Sequence, residues 1–501
     1  MQTLPDSMDI DTTPKTVPVP RIRSSAATGA MLWIAGSFFV SQALVFVQGM
    51  FAARYLDAIG LGVWGIATVI NNLYRGFTQS ASPQDFVVLS PDDQEQSVLQ
   101  SAFFANIIRS AVLGLAFLAL GPVLAAFYDQ RVFIGVMALF AVGIGLDGLR
   151  NPGLGLAVKR FDFKPMVLAE RGSQIIGLVL SLGLLVIYRN IWAVIVPLVL
   201  ARILFVVVSY FYEPIRPRWS LVRVAWLRPA LAFAFYMTSI VLLSIAVRQG
   251  PDFFIGRFEG LEVYGKYSVL YLIASLPVNG ITYVIDHLTF PIYSKYKGIP
   301  ARQGEALGSI QFTVFLATSL LTMVFFIGTG PLLDLLPGTD WAGYGTIFRL
   351  LVIYSFVRSL AGTYGAICKA YPRLQQRLNL VTLGEMLFLA VFGLPVLARW
   401  GLEPFIVIMT LGILLSASLL TGLIQPYIVR EPWLRYRWRI VLTLGLLAAV
   451  AVLYLALVGD SGAALPGVIL IGGVAGFGML ALHFRPIRQS LGFIAGSVSR
   501  H

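Results

Sequence analysis

The sequence predicts an all-α, polytopic membrane protein of about fourteen transmembrane helices. Three observations carry that prediction. Apolar residues make up 57% of the 501 and charged residues only 12%. Mean hydropathy is +0.81. Apolar runs recur from near residue 30 to near residue 483 with no soluble block between them. A soluble domain has roughly 45–50% apolar and about 25% charged residues, so hydrocarbon is the solvent for most of this chain.

Each predicted helix is a run of about 20 mostly apolar residues. Such runs fall at 29–50, 60–80, 101–121, 132–152, 173–189, 191–212, 229–249, 263–285, 308–329, 342–366, 376–398, 403–425, 438–458 and 463–483. The second is the least apolar, because Asn71, Asn72 and Arg75 interrupt it. The fifth and sixth are close enough to merge, which would leave twelve. Residues 1–28 are polar and Pro-rich and lack a cleavable signal, and they read as a disordered cytoplasmic tail.

Charge placement tests the count. With the N-terminus in the cytoplasm, the connections Arg150–Arg171, Arg216–Arg228, Lys295–Arg302, Lys369–Arg377 and Arg430–Arg439 all fall on the cytoplasmic side, with the tail bearing Arg485 and Arg488. Together with the N-terminal tail they hold roughly 25 of the 37 Lys and Arg, as membrane insertion favours. The connection 81–100 is the exception, with Asp85, Asp92, Asp93 and Glu95, but acids direct orientation weakly. Both termini are therefore expected inside.

The net charge of +13 and pI near 9.8 would point to nucleic acid in a soluble chain. Here the charges sit in short membrane connections, and no nucleic-acid partner is expected. One cysteine, Cys368, excludes an internal disulfide, and His287, His483 and His501 form no ligand motif. No metal or cofactor is expected. No connection is long enough for an extramembrane catalytic domain, so an enzyme is not expected either.

Two segments 203 residues apart look alike: Arg54-Tyr55 with Gly62 and Trp64, and Arg257-Phe258 with Gly265 and Tyr267. A weaker echo pairs Gly155 and Lys159 with Gly365 and Lys369. An even-numbered repeat keeps its orientation, so two lobes would be related by an axis along the membrane normal. The expected organisation is the tail at 1–28, an N-terminal six-helix lobe at 29–212 and a cytoplasmic linker at 213–228. A C-terminal six-helix lobe at 229–425 follows, then two extra helices at 438–483 and a cytoplasmic tail at 484–501. A central cavity would lie between the lobes.

Several short motifs, in order, resemble the polysaccharide-transport branch of the multidrug/oligosaccharidyl-lipid/polysaccharide exporter superfamily. They are Ala53-Arg54-Tyr55-Leu56 with Gly62, Ala125-Ala126-Phe127-Tyr128-Asp129, and Lys159-Arg160-Phe161-Asp162-Phe163-Lys164. Asp252-Phe253-Phe254-Ile255-Gly256-Arg257, Leu276-Pro277 and Phe290-Pro291-Ile292-Tyr293-Ser294 continue the series. The resemblance covers roughly residues 30 to 425. It departs near 81–95, where Ser-Pro-Asp-Asp-Gln-Glu-Gln replaces an apolar stretch. It implies a flippase of undecaprenyl-diphosphate-linked oligosaccharide that exports to the periplasmic leaflet by alternating access, alongside a polysaccharide polymerase and co-polymerase.

An anionic head group crossing hydrocarbon needs fixed positive charge in a wet path. Arginine stays protonated and grips phosphate oxygens in pairs. Arg75 and Arg349 are the first candidates, followed by Arg358 and Arg248. Arg109 and Arg202, nearer helix ends, are expected to be interfacial anchors. Arg349 and Arg358 lie nine residues apart and do not share a helix face. Asp252, Glu385 and Asp286 are candidates for coupling to a proton or sodium gradient. Pro277, Pro291 and Pro395, with Asn279 and Gly280, would kink helices or end them. Two alternatives stay open: a cation-coupled multidrug antiporter, favoured by carboxylates over arginines, and a membrane-embedded glycan polymerase or ligase, favoured by a large extracytoplasmic loop.

Overall fold

The computed structural model describes residues 24–80, 95–159, 164–212, 218–295, 299–338, 341–370 and 372–424. The two helices expected at 438–483, the tails at 1–23 and 484–501, and the acidic connection 81–94 lie outside the described residues.

Among the described residues every regular element is helical. In chain order they are α1 (Ser24–Tyr55), α2 (Ala58–Ser80), α3 (Glu95–Tyr128), α4 (Val132–Asp147), α5 (Gly153–Lys159), α6 (Lys164–Tyr188), α7 (Trp192–Ser209) and α8 (Val224–Phe258). Next come α9 (Leu261–Lys295), α10 (Pro300–Ile327), α11 (Thr329–Asp334), α12 (Gly345–Ala370), α13 (Pro372–Phe388), α14 (Leu394–Trp400) and α15 (Leu402–Ile424). Each of the first twelve apolar runs falls on a helix, and the fifth and sixth are distinct helices, α6 and α7. By length and composition, seven helices of this set can cross a membrane. Several helices, among them α1, α3, α8 and α9, extend past their apolar runs, whereas α4 and α7 stop short of theirs.

Local chemistry sets the helix boundaries. Asp57 Oδ1 accepts from the Gly60 backbone N–H at 3.1 Å and starts α2. Asn190 Oδ1 does the same for Ala193 at 3.2 Å before α7. Gly260 and Gly401, with φ of 86° and 84°, make the α8–α9 and α14–α15 turns in a region that side chains disfavour. Pro277 and Pro291 lie inside α9 and do not end it. Pro395 follows a π-helical turn at Leu389–Gly393, where the backbone opens ahead of a residue that lacks an N–H.

Packing sorts the helices into two sets. In the first, α3 packs on α4, α6 on α7, α1 on α6, and α4 on α2 and α7. In the second, α12 is central and packs on α9, α10, α13 and α15. Across the seam α2 meets α8 and α9, α3 meets α8, and α1 meets α9.

The repeated motif sits on that seam. A Cβ placed on Gly265 would lie 2.7 Å from the Gly62 backbone nitrogen, and one on Gly62 would lie 2.0 Å from the Leu261 carbonyl oxygen. The two equivalent glycines therefore press backbone to backbone, which only residues without a side chain allow. Nearby, the Tyr128 hydroxyl donates to the Phe253 carbonyl at 2.9 Å. At the opposite end of the seam, which carries the Arg- and Lys-rich connections and is called the basic end below, Gln100 Oε1 accepts from the Arg218 N–H at 2.9 Å. Ser101 Oγ accepts from the Arg223 N–H at 3.1 Å.

Candidate functional site

Three helix faces converge near the basic end of the first set. Asn71 and Arg75 lie four apart on α2; Glu170, Ser173 and Gln174 share a face of α6; Leu198, Ala201, Arg202 and Phe205 share a face of α7. They line a small, partly open cleft with a cavity volume of about 30 Å³. Helical spacing is what aims these residues at one space, because i, i+3, i+4 and i+7 fall on one stripe.

Arg202 is held from behind. Its guanidinium carbon lies 4.8 Å from the centroid of the Tyr74 ring, a cation–π contact. The Tyr74 hydroxyl in turn donates to the Asp147 carboxylate. Arg75 interacts electrostatically with Arg202, Glu170 and Arg171, and Arg202 with Asp147 and Glu170. Arg150 stacks on Phe205 at 5.9 Å.

Arg109 and Arg202, expected as interfacial anchors, both pack against side chains of the helix bundle. Arg109 is 2% exposed and donates to Asn106 Oδ1 at 3.5 Å. Asn106 Nδ2 bonds the carbonyls of Asp147 and Gly148 at 3.0 and 3.2 Å.

A second polar cluster forms in the other helix set, farther from the basic end. Arg358 on α12 donates from Nη1 to the Tyr354 hydroxyl at 2.6 Å. It also interacts electrostatically with Asp252 of α8 and with Tyr271 and Glu385 of α9 and α13. Three of the seven residues picked from sequence thus come together from three helices. Glu385 lies in the last turn of α13 (Pro372–Phe388).

Tyr264, Tyr267 and Tyr271 form a ladder on α9, with ring centroids 5.9 and 6.0 Å apart, and Tyr271 lies 6.0 Å from Tyr354. Their i, i+3, i+7 spacing puts the three tyrosines on one helix face, a pattern already present in the sequence.

Arg349 packs elsewhere on α12. It faces Phe326 of α10 at 5.9 Å, on the side of α12 away from Arg358. Arg248 lies in α8 and Asp286 in α9, and the side chains of both are outside those described.

The protein is thus a membrane-embedded helical bundle that turns arginines, carboxylates and tyrosines inward. The family described as polysaccharide biosynthesis protein matches residues 51–345, and the chain belongs to that family.

Among curated relatives, the teichuronic acid biosynthesis protein TuaB of Bacillus subtilis is 23% identical over 57% of this chain. That match spans only 59% of TuaB, less than two thirds of its length. The succinoglycan biosynthesis transport protein ExoT of Rhizobium meliloti is 21% identical over 69% of each chain. In fold, the chain is similar to the lipid II flippase MurJ in an inward closed conformation. The TM-score is 0.71 at 13% identity, covering 91% of this chain and 99% of that one.

Proposed function

We propose that the protein is a flippase that moves an undecaprenyl-diphosphate-linked oligosaccharide from the cytoplasmic to the periplasmic leaflet of the inner membrane. It does so by alternating access, without covalent chemistry. The observation that carries this reading is the cleft in which Arg75 and Arg202 stand together inside the helix bundle. A diphosphate leaving water needs charge-assisted partners, and a guanidinium supplies paired donors in a fixed plane. Membership of a polysaccharide biosynthesis family, and ExoT being a transport protein of such a pathway, support a glycan cargo and a transport role.

In this reading the two helix sets are lobes that rock about the glycine contact. The head group is taken up at the cleft near the basic end, which faces the cytoplasm. Asp252 and Glu385, grouped with Arg358, hold the coupling proton or cation. The lipid tail stays in the bilayer, and a polymerase with its co-polymerase receives the product.

Arg75→Ala and Arg202→Ala tested in a host that lacks the wild-type gene are expected to insert at wild-type levels. They should lose surface polysaccharide and accumulate the lipid-linked repeat in the inner leaflet. Normal surface polysaccharide from both variants rejects the reading.

A further inference from the structure

We infer that Glu170 is an internal stand-in for the substrate's phosphate, a carboxylate that occupies the arginines of the cleft until the diphosphate displaces it. The inference rests on the flippase reading and extends it to a residue that the sequence did not single out.

Two guanidiniums facing one cleft repel each other and are costly to bury together without an anion. Glu170 supplies that anion. It lines the same cleft as Arg75 and Arg202, and it interacts electrostatically with both.

Charge arithmetic then separates the empty and loaded states. With Glu170 in place the three side chains carry one net positive charge. A diphosphate esterified at both ends bears one ionised oxygen on each phosphorus, which matches the two arginines alone. Undecaprenyl diphosphate, esterified at one end, carries at least that much negative charge. Both anions cannot share the cleft cheaply, so the head group and the carboxylate compete for the same donors.

The rest of the cleft fits an exchange. Arg202 is braced by the Tyr74 ring, and Tyr74 by Asp147, so its guanidinium stays in position when the partner changes. Gln174, on the same face of α6 as Glu170, carries an amide that can donate to sugar or phosphate oxygens, while the Ser173 hydroxyl donates to the Ala169 carbonyl at 2.7 Å. A stand-in of this kind keeps the arginines ordered without cargo and sets how tightly cargo is held.

The test uses the full-length protein in lipid nanodiscs and measures binding of undecaprenyl diphosphate, with inorganic diphosphate as a separate arm. Glu170→Gln keeps the shape and removes the competing charge, and it is expected to bind undecaprenyl diphosphate about tenfold more tightly. Arg75→Ala and Arg202→Ala are expected to weaken binding by at least about tenfold. Glu305→Gln, an exposed acid on α10, is expected to change nothing and controls for net charge. Inorganic diphosphate should displace the lipid from the wild type, and at lower concentration from Glu170→Gln.

If the arginine variants lose affinity but Glu170→Gln gains none, the stand-in role is rejected and the cleft remains the head-group site. If the arginine variants bind as tightly as the wild type, the site reading itself falls, and the stand-in falls with it. If free diphosphate fails to displace the lipid, the head group is not what the cleft reads, and the inference is overturned.

Discussion

Buried charge is the feature to explain at the scale of single residues. A guanidinium in a spanning helix costs at least about 2.5 kcal/mol unless it finds partners or water. Arg358 finds them on its own helix and on three neighbours: the Tyr354 hydroxyl at 2.6 Å on α12, and Asp252 of α8, Glu385 of α13 and Tyr271 of α9 within electrostatic range. Arg358→Leu should therefore strand two carboxylates and lower the stability of the purified protein by on the order of 3 kcal/mol. Glu385→Gln introduced beside it should recover part of that loss, because the two positions are coupled. Thermal unfolding of the single and double variants in detergent measures the coupling. Strictly additive losses would mean that the arginine and the acid are independent. Asn151 shows a neutral version of the same rule. Fully buried, it donates from Nδ2 to the Ser209 and Tyr212 carbonyls at 2.8 and 2.7 Å and accepts at Oδ1 from Gly153, pinning the end of α4 to the end of α7.

Among the helices, close approach at the seam decides the architecture. The Gly62–Gly265 contact lets α2 and α9 touch backbone to backbone, and the atoms that a Cβ would meet are main-chain atoms that cannot rotate away. Gly265→Ala should cost about 1–3 kcal/mol by overpacking. Gly183→Ala on α6, where nothing lies within 4 Å of the added carbon, should leave stability within a few tenths of a kcal/mol. A comparison of melting temperatures separates the two. Equal, small shifts would mean that the seam has room to spare. The repeat of Arg, aromatic, glycine and aromatic was legible in the sequence, because it recurs at constant spacing in a short window. That its two glycines meet was not legible, since a spacing of 203 residues carries no information about which faces turn inward.

The whole molecule has a polarity along its length. The arginine cleft lies near the basic end, with Arg75 five residues before the end of α2 at Ser80. The Arg358 cluster lies near the middle of α12, about 20 Å along a helix of 26 residues. If the basic end faces the cytoplasm, a single cysteine at Asp129 should react with an impermeant maleimide applied to intact spheroplasts. One at Trp219 should react only after permeabilisation. Both belong in a Cys368→Ser background, since Cys368 is the one native thiol. The reverse labelling pattern would invert the proposed direction of transport.

Composition and periodicity by themselves determined the helical, membrane-embedded class, the order and approximate position of twelve helices, and the residue types able to meet an anion. These properties were legible because hydrocarbon forces every backbone group into a helix and penalises each charge locally, one residue at a time. Only the tertiary structure decided which charges share a space. It drew Arg202 and Glu170 into the cleft with Arg75, gathered Asp252, Glu385 and Arg358 from three helices, and turned Arg349 toward Phe326. Those outcomes depend on the rotation of each helix about its axis. Packing against several neighbours at once fixes that rotation, and no single helix encodes it.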